Sequence, residues 1–201
     1  MTETRPDRKQ IRRDRLRLRD ELPLAAREEF SARIVAQTIE ILAAAQVRIV
    51  HCYVSFRSEV DTSGLIDWLL ANGIRVIAPI VRPDPTDVGR QEMRCVEITK
   101  VADLVPGHFG IPEPAGEPFT DEAVIDVIIQ PLASFDRRGA RLGYGKGLYD
   151  KFLSRLPEKT WKLGLAFSVQ EVEHVPELPH DERMDVVVTE REVIRCAEEV
   201  S

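Results

Sequence analysis

The 201-residue chain lacks several features that would place it in a well-defined class of protein. No apolar run approaches the roughly 20 residues that a membrane-spanning helix needs. The three cysteines, Cys52, Cys95 and Cys196, are far apart and show no Cys-x-x-Cys spacing, and the four histidines show no zinc-binding spacing. The N-terminus is charged where a secretory signal peptide would be apolar. We therefore expect a cytoplasmic protein with reduced thiols and without a membrane segment or a zinc site.

Acidic residues outnumber basic ones, but the basic residues are concentrated near the N-terminus. The net charge is −6, and residues 5–19 hold eight Arg or Lys against two Asp, so the rest of the chain carries −12. A basic arm on an acidic body can bind nucleic acid or a membrane surface, but the arm has no aromatic residue and the body would repel a polyanion. Two other interpretations stay open: a solvated helix face, or charges that reach a small anionic ligand.

Residues 135–150, Phe-Asp-Arg-Arg-Gly-Ala-Arg-Leu-Gly-Tyr-Gly-Lys-Gly-Leu-Tyr-Asp, combine four glycines with four basic residues. They follow an apolar run, residues 123–129, and precede a predicted helix over residues 148–156. Glycines let backbone N–H groups approach phosphate oxygens, and a helix N-terminus adds partial positive charge. The motif is neither a Walker A sequence, which needs Ser or Thr after Gly-Lys, nor a dinucleotide fingerprint. A plain surface turn is the alternative, but the flanking strand and helix favour a phosphate-binding loop.

Apolar, β-branched runs alternate along the chain with amphipathic segments. The predicted strands cover residues 47–54, 74–80, 93–98, 123–129, 161–167 and 186–189, and the predicted helices cover residues 7–20, 25–45, 62–71 and 148–156. This order predicts a single α/β domain over residues 1–201: a mostly parallel sheet flanked by helices, with the glycine-rich phosphate loop between a central strand and a helix. Ligands bind beyond the carboxyl ends of parallel strands. Residues 55–61, the glycine-rich loop and residues 168–185 should therefore share one rim.

Several polar side chains near this rim could carry chemistry. Glu59 lies two residues too early to cap the next helix, so a ligand role is as open as a structural one. Asp150 could stabilise the helix dipole, or it could bind Mg²⁺ beside a phosphate, with Asp181 or Asp185 as a second carboxylate. Tyr144 and Tyr149 could stack on a heterocycle or pack the loop against the body.

Residues 135–150 resemble the defining motif of the 5-formyltetrahydrofolate cyclo-ligase family, Phe-Asp-x-x-Gly-x-Arg-Leu-Gly-x-Gly-Lys/Gly-Gly-Tyr/Phe-Tyr-Asp. Leu148 stands where the motif has an aromatic residue, a change that removes no charge. The similarity extends to Lys9-x-x-x-Arg13, to residues 55–62 and to residues 165–185. It covers nearly the whole chain, and the glycine-rich motif is its most specific part.

This resemblance implies an ATP- and magnesium-dependent ligase of folate and one-carbon metabolism, built as a single α/β domain. Such an enzyme converts 5-formyltetrahydrofolate to 5,10-methenyltetrahydrofolate through a phosphorylated formyl group, an imino-phosphate, and releases ADP and phosphate. Its partners would be a reduced folate and ATP, with Mg²⁺ as cofactor and without nucleic acid or membrane. We expect a monomer.

The resemblance also implies roles by position. Arg141 and Lys146 would be catalytic, because they would stabilise the transferred phosphoryl group. The residues expected to contact ATP come from the basic helix within residues 1–22 and from the glycine-rich stretch: Lys9, Gln10, Ile11, Arg12, Arg13, Arg141, Leu142, Gly143, Tyr144, Gly145, Lys146, Gly147, Leu148 and Tyr149.

The remaining implied roles concern the folate and the metal. Val54, Glu59 and Tyr149 would bind the folate, and Asp150 and Asp181 would hold Mg²⁺. Two other functions stay open. A sugar-phosphate isomerase or acyl-CoA transferase would need the phosphate cradle but not ATP. A non-catalytic nucleotide or folate sensor would be expected to lack the loop charges, which are present here.

Overall fold

The computed structural model describes residues 7–83, 87, 89–100, 104–107 and 112–196. The helices in these ranges are α1 (Arg8–Asp20), α2 (Leu24–Ala45), α3 (Ser63–Ala71) and α4 (Leu148–Leu153). The strands are β1 (Ile49–Cys52), β2 (Arg75–Pro83), β3 (Gln91–Ile98), β4 (Leu104–Pro106), β5 (Pro112–Pro114), β6 (Val127–Pro131), β7 (Ser134–Phe135), β8 (Arg141–Leu142), β9 (Trp161–Leu165), β10 (Val186–Val188) and β11 (Val193–Arg195). Both ends of the predicted domain, residues 1–6 and 197–201, lie outside the described residues.

Seven strands form one sheet in the order β11-β10-β9-β6-β1-β2-β3. The inner pairs are parallel, and only the two edge strands, β3 and β11, pair antiparallel with their neighbours. The mostly parallel sheet of an α/β domain is therefore confirmed. The register aligns Cys52 with Ile129 and Pro131 with Leu165, so the carboxyl ends of β1, β6 and β9 meet at one rim.

Helices cover both faces of the sheet. On one face Ile34 of α2 and Leu69 of α3 belong to the same core cluster as Val50 of β1. On the other face the ring of His51, the next residue of β1, lies 5.3 Å from the ring of Phe152 in α4. Neighbouring residues of a strand point to opposite faces, so β1 supports both layers. No helix in the described ranges is both long enough and apolar enough to cross a bilayer.

The central strand β6 begins later than its apolar sequence predicts. Residues 123–129 were expected to be one strand, but Glu122–Val124 forms a 3₁₀ turn and β6 begins only after Asp126. The Asp126 carboxylate accepts the backbone N–H groups of Arg48 and Ile49 at 2.8 and 3.0 Å. Asp126 therefore links the residues before β6 to the start of β1 through hydrogen bonds, and it is not itself part of β6.

The first half of residues 135–150 forms a hairpin of β7 and β8 rather than a loop. Its turn is organised by the buried carboxylate of Asp136, which accepts the N–H groups of Arg138, Ala140 and Val175 at 3.0, 3.2 and 3.0 Å. The hairpin separates the central strand from the glycine-rich loop, which is residues 143–147. Helix α4 has only six residues and therefore a small dipole, so side chains must supply most of the positive charge at the loop.

Candidate active site

A cavity of about 490 Å³ opens where the carboxyl ends of the parallel strands meet. Its wall includes Val54 and Glu59 after β1, Gln130 in β6, the glycine-rich loop, and Leu178 and Asp181 from the last rim loop. The predicted convergence of three loops on one rim is confirmed. The volume lies in the range of roughly 300–1,000 Å³ that is usual for small-molecule sites.

One face of α1 carries arginines at positions i, i+4, i+7 and i+11, which we call the arginine stripe: Arg8, Arg12, Arg15 and Arg19. Arg8 forms an ion pair with Asp181 and also donates to the Pro176 carbonyl at 2.8 Å. Arg12 Nε donates to the Gly143 carbonyl at 2.7 Å, and Arg15 Nη1 donates to the Val169 carbonyl at 3.2 Å. The stripe therefore faces the loops of the rim, and Arg8 and Arg12 line the cavity.

The glycine-rich loop needs glycine for both backbone conformation and space. Gly145 and Gly147 have φ values of +92° and +65°, which residues with a side chain rarely adopt. A Cβ atom on Gly145 would also lie 3.3 Å from the guanidinium of Arg12. Lys146, between the two glycines, lines the cavity. The loop therefore presents a positive side chain and closely approachable backbone to a ligand.

Arg141 is a buried cation in the cavity wall, with only 4% of its surface exposed. Its Nη1 donates to Asp150 Oδ1 at 2.8 Å. Its Nε and Nη2 atoms are buried and have no hydrogen-bond partner among the described residues. Buried donors without an acceptor are costly and uncommon. An anion in the cavity would supply the missing acceptors.

Glu59 provides an oriented carboxylate in a wall that is otherwise largely apolar. Its Oε2 accepts the Phe56 N–H at 2.9 Å, and its Oε1 accepts the hydroxyl of Tyr144. Burial raises the pKa of Glu59, and the hydrogen bonds from Tyr144 and Phe56 partly offset this effect. The apolar and aromatic side chains of the wall include Tyr53, Val54, Phe56, Val81 and Met93. The arrangement suits a flat heterocycle with N–H donors.

Tyr149 lines the cavity and also packs against the hydrophobic core. Its ring meets His51 edge-on, with centroids 5.8 Å apart. Its hydroxyl is buried and has no hydrogen-bond partner among the described residues. Burial raises the pKa of Tyr149 well above its usual value, so the hydroxyl stays protonated and can donate to a ligand.

Asp150 and Asp181, the predicted Mg²⁺ ligands, both line the cavity and both pair with arginine. Burial alone would raise the pKa of Asp181, but hydrogen bonds from Arg8 and from the Leu178 N–H lower it. The described part of the chain holds no cluster of three or more His, Cys, Asp or Glu side chains that could bind a metal alone. Two carboxylates fit a Mg²⁺ ion that takes its other ligands from phosphate and water.

The sequence matches known proteins over most of its length. The profile of the 5-formyltetrahydrofolate cyclo-ligase family covers residues 4–190. The chain belongs to this family. It is 26% identical over 175 residues to the 5-formyltetrahydrofolate cyclo-ligase of Haemophilus influenzae, and the match covers 84% of this chain and 90% of that protein. It is 33% identical over 147 residues to the cyclo-ligase of Escherichia coli, a match that covers 72% of this chain and 79% of that protein.

A solved structure shows the same cyclo-ligase fold. The NMR structure of 5,10-methenyltetrahydrofolate synthetase from Aquifex aeolicus superposes on this chain with a TM-score of 0.80. The two are 30% identical, and the match covers 96% of this chain and 95% of that chain. The agreement over nearly the whole length supports the single-domain fold predicted from the sequence.

Many of the residues predicted from the resemblance to the cyclo-ligases meet in the cavity wall. These are Arg12, Val54, Glu59, Arg141, Gly143, Tyr144, Gly145, Lys146, Gly147, Leu148, Tyr149, Asp150 and Asp181. The wall also contains residues that sequence reasoning missed: Arg8, Tyr53, Phe56, Pro79, Val81, Met93, Glu113, Gln130, Pro131, Leu178 and His180. For Arg8 a signal was available, because it lies four residues before Arg12 and so on the same face of a helix.

Several predicted ATP contacts lie outside the cavity wall. Lys9, Gln10 and Arg13 lie on other faces of α1, where Arg13 donates to Gln10. Because each helical residue turns by about 100°, positions 9 and 13 lie roughly 90° and 130° from the centre of the arginine stripe. The side chains of Ile11 and Leu142 pack together in a small core cluster. They pack α1 against β8 and so fix the position of α1 beside the cavity without lining it.

Proposed function

We propose that this chain is a cytoplasmic, monomeric enzyme that uses MgATP to convert 5-formyltetrahydrofolate to 5,10-methenyltetrahydrofolate, releasing ADP and phosphate. Membership of the cyclo-ligase family supports both the reaction and ATP as co-substrate. The formyl oxygen of an amide is a poor leaving group. Its attack on the γ-phosphorus of ATP expels ADP and gives an imino-phosphate. The 10-nitrogen then attacks the activated carbon, loses its proton, and the ring closes as phosphate departs.

The observation that carries this proposal is the pair of unpartnered donors on buried Arg141. Arginine presents its N–H groups in a planar fork that matches two phosphoryl oxygens. Lys146 lines the same cavity on the adjoining loop. Preorganised cations of this kind stabilise the charge that develops on a transferred phosphoryl group. We therefore assign stabilisation of the transferred phosphoryl group to Arg141 and Lys146. The proposed route uses the formyl oxygen as nucleophile and needs no protein nucleophile.

The folate is placed by the carboxylate of Glu59. The pterin ring offers an amino group and a ring N–H, and a carboxylate accepts such a pair of donors. Phe56 N–H and Tyr144 hydroxyl fix the orientation of this carboxylate and leave further lone pairs for the ligand. Val54 adds apolar surface, and the buried hydroxyl of Tyr149 can donate to a group of either substrate.

Asp150 and Asp181 would hold Mg²⁺, which when bound neutralises charge on the phosphate oxygens. Arg141 pairs with Asp150 and Arg8 with Asp181, so both carboxylates lie beside cations in the cavity wall. The donor set therefore fits the cofactor predicted from the resemblance.

The arginine stripe supports a small anionic ligand over nucleic acid. Arg8, Arg12 and Arg15 contact backbone carbonyl or carboxylate groups of the rim loops, and Arg19 is buried. A nucleic-acid surface needs its cations exposed along one face. Four of the eight Arg and Lys residues of the arm, the arginine stripe, are instead directed towards the rim loops or buried.

Labelling the formyl oxygen with ¹⁸O tests the proposed route. The oxygen that attacks ATP leaves with phosphate, so inorganic phosphate released in MgATP turnover should carry the label in proportion to methenyltetrahydrofolate formed. A reaction without ATP is the control. Product formed with unlabelled phosphate would contradict the imino-phosphate route.

A further inference from the structure

Arg19, the last member of the arginine stripe, connects three segments around the cavity without lining it. The residue is 6% exposed. Its Nε donates to Ser58 Oγ at 3.0 Å, in the loop that carries Glu59, and its Nη1 donates to the Tyr144 hydroxyl at 2.6 Å, in the glycine-rich loop. Its Nη2 lies 3.6 Å from the carboxylate of Asp20. A buried cation with these contacts fixes the position of one loop relative to the other.

Tyr144 completes the connection. Its hydroxyl accepts the hydrogen bond from Arg19 and donates one to Glu59 Oε1. The Arg19 guanidinium carbon also lies 5.7 Å from the centre of its ring. Glycines precede and follow Tyr144, so the backbone has little conformational preference of its own. The side-chain contacts of Tyr144, together with the hydrogen bond from Arg12 to the Gly143 carbonyl, therefore determine where this part of the loop lies.

We propose that Arg19, Tyr144 and Glu59 form a bridge that couples the phosphate site to the pterin site. The inference rests on the proposed function. A phosphate that orders the glycine-rich loop holds Tyr144 in place, and Tyr144 holds the Glu59 carboxylate in the orientation that the pterin needs. Bound folate stabilises the same arrangement from the other side. By linkage, each substrate then tightens the binding of the other by the same factor. Arg19 is a positioning residue, because it acts through Tyr144 and Ser58.

Binding measurements on the full chain test this bridge. The dissociation constant of 5-formyltetrahydrofolate is measured with and without a non-hydrolysable ATP analogue and Mg²⁺, and that of the analogue with and without folate. We expect the wild-type protein to show a coupling factor of about tenfold, equal in both directions, within the usual range of roughly 5- to 150-fold. Tyr144→Phe, which removes only the hydroxyl, should reduce this factor to nearly one. Arg19→Lys should do the same, because lysine cannot reach both Ser58 and Tyr144 with one planar fork.

Arg17→Lys is the matched control, because Arg17 lies on the exposed side of the same helix and pairs with Glu21. It should leave the coupling factor unchanged. A general structural defect would lower stability without removing coupling selectively, so the coupling factor separates the two explanations. A wild-type enzyme that turns over but shows no coupling, or a Tyr144→Phe variant that keeps it, would overturn this inference alone. A wild-type protein that forms no methenyltetrahydrofolate would overturn the proposed function and the inference with it.

Discussion

Replacing Arg141 by lysine perturbs the phosphate site while keeping a positive charge. Arg141 holds Asp150 with Nη1 and leaves Nε and Nη2 without acceptors. If both donors bind the transferred phosphoryl group, lysine can replace only one of them. A hydrogen bond to a charged group contributes roughly 1.5–3 kcal/mol, so losing one should lower kcat/KM about 10- to 150-fold.

The fold should tolerate this substitution. Two of the arginine donors make no hydrogen bond to the described residues, so the substitution removes only the contact to Asp150 from within the fold. The melting temperature of the free protein should therefore move by only a few degrees, while the catalytic loss is large.

Initial rates of methenyltetrahydrofolate formation, followed by near-ultraviolet absorbance at varied ATP, measure the effect. Arg137→Lys is the control: Arg137 is exposed, pairs with Glu171 and Glu192, and belongs to the same glycine-rich stretch but not to the cavity wall. A folded Arg141→Lys enzyme whose kcat/KM stays within about threefold of wild type would refute the role of the guanidinium fork.

Three further changes have separate readouts. Glu59→Gln should raise KM for 5-formyltetrahydrofolate about 10- to 100-fold with less effect on ATP. In wild type this KM should also rise as pH falls through the raised pKa of Glu59, and the variant should lose that pH dependence. A defect confined to ATP would contradict this role. Lys146→Ala should lower kcat about 10²- to 10³-fold. The control is Lys151→Ala, which should leave kcat unchanged because Lys151 is exposed on α4. Unchanged turnover in Lys146→Ala would remove Lys146 from the mechanism. Burial lowers the pKa of His51 from 6.5 to about 4. The unfolded chain therefore takes up the proton first, and the free energy of unfolding should fall by about 2 kcal/mol more between pH 7 and pH 5 in wild type than in His51→Leu; equal losses in urea denaturation would contradict it.

The layers of the fold were predictable because the strong local signals agreed with one another. The apolar runs that become β1, β2, β6 and β9 alternate with amphipathic segments, and that order alone implies parallel strands covered by helices. Boundaries failed where a polar side chain makes a tertiary contact. Asp126 lies inside an apolar run, but its carboxylate caps the start of β1. The partners of Asp136 include the N–H of Val175, 39 residues away, and no local pattern shows such a contact.

The site was predictable to the extent that its residues lie in one motif. The glycine-rich loop, Glu59 and both aspartates were found because they follow strands or stand in a recognisable sequence. The whole stretch Lys9–Arg13 was predicted to contact ATP, and only Arg12 of it lies in the cavity wall, because which of these side chains reach the cavity depends on how the helix docks. Burial of Ile11 in the cluster with Leu142 determines that docking. Met93, on the edge strand β3, reaches the cavity only through sheet pairing, for which the sequence has no local signal.

The most direct test of the central claim is to mix the purified protein with 5-formyltetrahydrofolate and MgATP and record near-ultraviolet absorbance, with a parallel reaction that lacks ATP. We expect methenyltetrahydrofolate to accumulate only when ATP is present, with one ADP formed for each product molecule. No ATP-dependent product, from folded protein that still binds ATP, would contradict the assigned reaction.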